Sequence, residues 1–275
     1  MKEILKKASV VWWMNDPSSS GAALAFYTLF SLPALIIVVV ALMGFFIPPS
    51  VARGLAIDQL GNVFGGQARQ ALGYIIYESK IPQSNFFAAV ISILTFFIGA
   101  LGVFDQLQVS LNRLWGANVQ LVGLQGFMHN KVMAFIMIFL LGISLAISLT
   151  ASTLVSVFDR LIREFFPALV NIVWISDIVL SLVLVIFLCM AIYAFLPHAR
   201  ISRRAIMVGG VITALLFFLG RIIIGIYLSS PSVISAYGAA SAFIILMLWI
   251  YYSSQVFLFG AACTYIIDQR IKGKS

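Results

Sequence analysis

Charge is what this sequence has least of. Of its 275 residues only 9% are Asp, Glu, Lys or Arg, against about a quarter in an average soluble domain, while 62% are hydrophobic. A water-soluble fold of this length has no means of covering its surface with so few charges, so lipid must be the solvent for much of the chain. An ordinary soluble enzyme is thereby excluded. Histidine and cysteine are equally scarce, two of each. His129 and His198 fall in different loops, Cys189 and Cys263 inside apolar runs, and neither pair has metal-ligand spacing; no metal site, no structural disulfide and no cofactor are expected. No phosphate-binding loop of the GxxxxGK kind occurs, which argues against ATP hydrolysis by this chain. No enzymatic activity is expected of it.

What the sequence does have is long uncharged runs. Six can be read, 22–46, 86–104, 132–157, 173–196, 205–228 and 236–267, each long enough to cross the ~30 Å hydrocarbon core at about 1.5 Å per helical residue. Within them only Asp177 and Arg221 are charged. The expected fold is all-α: a polytopic bundle of about six transmembrane helices forming a single integral membrane domain over 1–275, with amphipathic interfacial helices beside it. The pieces between the runs are too short for a separate soluble domain. Pro17, Pro48, Pro49, Pro82, Pro167, Pro197 and Pro231 lie outside the runs, where the loss of a helical hydrogen bond is tolerated. Pro33, near the middle of the first run, is the exception.

Basic residues orient the bundle. With a cytoplasmic N-terminus, the inside segments hold Lys2, Lys6, Lys7, Arg113, Lys131, Arg200, Arg203, Arg204, Arg270, Lys272 and Lys274, and the outside segments hold Arg53, Arg69, Lys80, Arg160 and Arg163. Eleven against five places both termini in the cytoplasm. The net charge of +8 is thus mostly an orientation signal facing anionic lipid, and nucleic acid is not an expected partner. No cleavable signal pattern is present, and the first run serves as its own targeting signal. Residues 1–14 set Ile4, Leu5, Ala8 and Trp12 against Lys2, Lys6 and Lys7, the pattern of a helix at headgroup level. Residues 51–76 read as two short amphipathic helices broken at Gly65 and Gly66. Past Asp105, Leu107, Leu111 and Leu114 keep helical spacing, so the second helix is expected to continue beyond its apolar run and pack on a neighbour.

Several polar groups are candidates for a transport pathway. Arg221 is the sharpest, because a guanidinium deep in a helix is costly and normally faces protein or water. Asp177, at similar expected depth on the preceding run, is its natural partner; the two form either a charged element in a pathway or a structural ion pair joining two helices. Ser144, Ser148 and Ser152, continued by Ser156, recur every four residues as a slanting stripe, readable as small-residue packing or as the polar wall of a hydrated cavity. Gln255 lies amid a long apolar stretch and needs a partner, whether helix, water or substrate. Pro33 is a candidate hinge, with Thr28 and Ser31 nearby to satisfy the backbone. Arg200, Arg203 and Arg204 in the loop after Pro197 are candidate contacts for lipid headgroups as well as topology determinants.

The stretches AFYTLFSLPALIIVVV, GVFDQLQVSLNRLWG, AIYAFLPHARISRRAIMVGG, GRIIIGIY, AYGAAS and LMLWIYYSSQVFLFGA resemble, in order along almost the whole chain, the YihY/virulence factor BrkB family. Pro33, Asn112, Trp115, Pro197, Arg221, Tyr237, Gly238 and Trp249 fall in these stretches. The resemblance implies a multi-pass protein of the bacterial cytoplasmic (inner) membrane, loosely described as a transporter or envelope factor. An older ribonuclease BN label attached to the family finds no support in the residues, since a metal-dependent tRNA nuclease needs clustered His and acidic ligands in water. The expected function is that of a permease or flippase-like protein for an amphiphilic or lipid-linked substrate, without its own ATPase. The rival is a structural or scaffolding envelope protein using the same polar groups only for packing. Membrane lipids are the expected partners, and the small-residue ridges permit a homo-oligomer.

Overall fold

A computed structural model of the chain describes residues 2–43, 51, 54, 57, 86–117, 132–137, 140, 170–228 and 241–273. Among them the regular structure is all helical. Among the described residues the longer helices are, in order, α1 (Lys2–Met14), α2 (Pro17–Met43), α3 (Phe86–Leu114), α4 (Val170–Phe195), α5 (Arg203–Leu228) and α6 (Ser241–Ile271). Two stretches among the described residues, Arg203–Ile224 and Phe243–Ile271, are long and apolar enough to cross a membrane. Of the third expected run, 132–137 and 140 are helical and the rest lies outside the described residues, as do most of the short helices expected over 51–76.

The helix ends follow local chemistry. Asp16 takes a positive φ of 49° between α1 and α2, a conformation Asp tolerates, and its Oδ1 accepts the Ser19 N–H at 3.3 Å while Pro17 occupies the first helical position. α3 runs unbroken through Asp105 to Leu114, as its leucine spacing predicts. It stops at Gly116, whose φ of 61° lets the Ala117 N–H reach back to Asn112 O at 2.9 Å. α2 continues helically through Pro33, and one turn earlier the Ser31 hydroxyl donates to Thr28 O at 2.9 Å. α1 buries Ala8, with Ile4, Val11 and Trp12 half-buried beside it; Leu5, expected on that face, is instead exposed, because the face in use follows residues 4, 8, 11 and 12.

Burial is distributed as lipid would demand. The polar Ser20, Ser31, Gln108, Ser110, Asn112, Thr213, Thr264 and Asp268 are buried. Large hydrophobic side chains point outward instead: Ile91, Leu94 and Ile98 on α3, Val179, Val183 and Phe187 on α4, and a stripe down α5 from Met207 to Ile226. In water such stripes would drive aggregation; in hydrocarbon they are the expected outer surface, and helices associate through small and polar groups.

The described chain divides into two units, one of 1–11, 111–218 and 259–275, the other of 12–110 and 219–258. In the first, α5 and α6 pack antiparallel through two reciprocal Gly-xxx-Thr motifs. A methyl placed on Gly209 would collide with Thr264, reaching 2.7 Å from its Cβ, and one on Gly260 would collide with Thr213, reaching 2.8 Å from its Cβ. Each threonine folds onto its own helix, Thr213 Oγ1 donating to Gly209 O at 2.7 Å and Thr264 Oγ1 to Gly260 O at 2.8 Å. In the second unit Gly99 meets Ser31, Gly102 the Tyr27 ring, and Gly220 the Tyr252 ring.

Candidate functional site

Two polar constellations stand out. The first is the α4–α5 loop, residues 196–202, with the groups that hold it. Asp268 on α6 is 1% exposed, and its Oδ1 accepts the Ser202 N–H at 2.7 Å while its Oδ2 pairs with Lys272 Nζ at 2.6 Å. Lys272 also donates to Arg200 O at 2.8 Å. Ser202 in turn caps α5, its Oγ accepting the Ala205 N–H at 3.4 Å. A buried carboxylate is tolerated here because a backbone N–H and an ammonium both satisfy it.

Asn112, on the last turn of α3, holds the other end of the loop. Its Oδ1 accepts the His198 backbone N–H at 2.8 Å, and its Nδ2 lies 3.1 Å from His198 Nδ1. The backbone contact fixes which amide atom is oxygen, so the amide nitrogen must donate to Nδ1. His198 Nδ1 thus serves as the acceptor of that contact. In Asn112→Leu, amide exchange at His198 should accelerate by about fivefold, the value of a net hydrogen bond near 1 kcal/mol; unchanged exchange would show the loop held without Asn112.

Beneath this loop, the Tyr193 hydroxyl meets Thr213 Oγ1 at 3.0 Å. Since Thr213 gives its one proton to Gly209 O, Tyr193 is the donor. Trp115, just past α3, donates its indole N–H to Ala261 O at 3.0 Å and meets the Tyr193 ring edge-on at 5.8 Å. These buried polar groups satisfy one another, and their chemistry is that of a fixed packing core.

The second constellation surrounds Gln255. Its Nε2 donates to Pro17 O at 2.8 Å, and Gly21 gives it room, since a methyl there would collide with the Gln255 amide and reach 3.3 Å from the Tyr251 ring. The partner that a mid-helix glutamine requires is thus the first turn of α2. Among the described residues, however, its buried Oε1 has no donor.

The structure handles the remaining candidates differently. Arg221 is exposed beside the equally exposed Ile222 and Ile223, where a buried guanidinium was expected. Asp177 lies on α4, its side chain outside the described residues, and with it the expected pair. Ser144, Ser148 and Ser152 also lie outside the described residues. Arg200, Arg203 and Arg204 are all exposed. Among the described residues no group of three or more His, Cys, Asp or Glu could hold a metal ion. Sequence reasoning missed Asp268, treated only as one of the inside charges, and both Gly-xxx-Thr motifs. The signals were present, an Asp268–Lys272 pair four residues apart and two identical Gly-xxx-Thr spacings.

The family model for virulence factor BrkB matches residues 8–275. Among similar curated proteins, a UPF0761 membrane protein of Psychromonas ingrahamii is 28% identical over 255 residues, covering 90% of this chain and 82% of that protein. Another UPF0761 membrane protein, from Pseudoalteromonas atlantica, is 28% identical over 253 residues, covering 90% of this chain and 80% of its own. A Pseudomonas aeruginosa UPF0761 membrane protein is 41% identical over 71 residues, 26% of this chain and 17% of that protein. No solved structure matches.

Proposed function

The chain belongs to the virulence factor BrkB family, and on that premise we propose that it is a permease or flippase-like protein that moves an amphiphilic or lipid-linked substrate without an ATPase of its own. In this reading it crosses the bacterial cytoplasmic membrane about six times, with both termini in the cytoplasm. The observation that carries the reading is the Gln255 amide: its nitrogen is fixed on Pro17 O while its buried oxygen has no donor among the described residues. A buried acceptor left open loses the full hydration of that group, and a hydroxyl, amine or water in a polar pathway restores it. The exposed Arg221 supplies a charge in the same unit. Asp177, Ser144, Ser148 and Ser152 complete the pathway in this reading, and Pro33 its hinge.

Purified protein in proteoliposomes tests this with fluorescent phospholipids and with a lipid-linked sugar carrier. Wild type should accelerate their movement above protein-free vesicles, and Arg221→Ala and Gln255→Leu should each slow it about tenfold, the effect of losing roughly 1.4 kcal/mol in the limiting step. No movement by well-folded wild type would defeat the reading. It would leave the second one, a structural or scaffolding envelope protein. That reading is favoured by the mutual satisfaction of Tyr193, Thr213, Thr264 and Trp115 in a packed core.

A further inference from the structure

We propose that the first turns of α5, with the loop before them, form a binding surface for one anionic phospholipid, its phosphate held by Arg200, Arg203 and Arg204 and an acyl chain laid along the helix below. The arginines are exposed, and among the described residues no carboxylate pairs with them. The acidic group of the loop network, Asp268, is turned inward onto Ser202 N and Lys272. Two amides at the start of α5 are also engaged, Ser202 N by Asp268 and Ala205 N by the Ser202 hydroxyl. An anion arriving here therefore meets guanidinium groups, which suit a phosphodiester through bidentate hydrogen bonds. The platform is pre-ordered, since Asn112 and Asp268 hold the loop from both ends.

Placement on the helix decides the kind of anion. Arg204 heads the same face as Met207, Val208, Val211 and Leu215, at steps of three, four, seven and eleven residues, and all four are exposed. From Arg204 to Leu215 the helix rises about 16 Å, close to the hydrocarbon thickness of one leaflet at about 15 Å. A cationic head above an apolar stripe of that length is complementary to a lipid, with its phosphate and its chain. A nucleic acid would use the arginines and leave the stripe bare. The inference depends on the membrane setting and is independent of any transport activity.

The full-length protein, purified in a neutral detergent, is titrated with short-chain phosphatidylglycerol, short-chain phosphatidylcholine, glycerol phosphate and a short RNA duplex, with binding read by native mass spectrometry. Phosphatidylglycerol should bind saturably and phosphatidylcholine far more weakly. Glycerol phosphate, having the charge without the chain, should bind at least tenfold more weakly than phosphatidylglycerol. Each basic side chain near an anionic surface is worth roughly fivefold, so R200Q/R203Q/R204Q together should weaken phosphatidylglycerol binding about a hundredfold. Arg204→Gln alone should weaken it about fivefold, which keeps the test valid if the triple variant folds poorly. Equal binding of the two lipids, glycerol phosphate binding as tightly as phosphatidylglycerol, RNA binding more tightly than either lipid, or wild-type affinity in the arginine variants would each overturn the proposal.

Discussion

Gly260→Leu should destabilise the protein by about 3 kcal/mol, the upper part of the usual range for overpacking a close contact. The position faces Thr213, and even a methyl group would collide with that side chain. Thr213 has little freedom to retreat, because its hydroxyl is held by Gly209 O and receives Tyr193, and it is 1% exposed. Gly209→Leu should behave alike, because Thr264 is 0% exposed and bound to Gly260 O. The reciprocal arrangement permits a more exacting test by mutant cycle. Gly209→Ala should cost about 2 kcal/mol alone, and pairing it with Thr264→Gly, which moves the volume from one helix to the other, should recover at least about 1 kcal/mol. Chemical denaturation in mixed micelles measures these values. Strict additivity would show that the two positions do not share a contact.

Asp268→Ala carries the second large effect, an expected loss of about 2 kcal/mol, because hydrogen bonds to a charged group are worth roughly 1.5 to 3 kcal/mol. The carboxylate has two partners of different weight. Lys272 is 40% exposed, so Lys272→Met should cost less than about 1 kcal/mol after solvent screening. The Ser202 N–H lies at 2.7 Å, and losing its acceptor leaves that amide unsatisfied at the start of α5. Asp268→Asn retains an oxygen for Ser202 and should fall between wild type and Asp268→Ala. Thermal unfolding gives the order, and amide exchange at Ser202 shows whether the loop has been released. If Lys272→Met costs as much as Asp268→Ala, the ion pair and not the backbone contact holds the loop.

Much of this was legible in the residues, with specific exceptions. The spacing of Leu107, Leu111 and Leu114 foretold that α3 continues past Asp105, because helical periodicity persists where hydropathy falls. The starts of α2 and α5 follow from Asp16 with Pro17 and from Ser202, whose side chains act within a few residues. Gln255 announced a need for a partner, yet nothing near it in sequence identifies Pro17 O, 238 positions away. Arg221 poses the same question: a lone charge in an apolar run says nothing of its surroundings, and only the packing of α5 leaves that residue exposed.

By itself, then, the sequence determined the solvent and the helical class, because hydropathy, periodicity and capping are properties of contiguous residues and need no knowledge of neighbours. The tertiary structure decided which polar groups are spent. It turned Asp268 inward to hold the α4–α5 loop, set Gly209 against Thr264 and Gly260 against Thr213, and left Arg200, Arg203 and Arg204 exposed above an apolar stripe. The physical reason is that in lipid the apolar side chains have little preference between inside and outside. Close approach and hydrogen-bond satisfaction between distant segments then choose the partners, and those are three-dimensional relations.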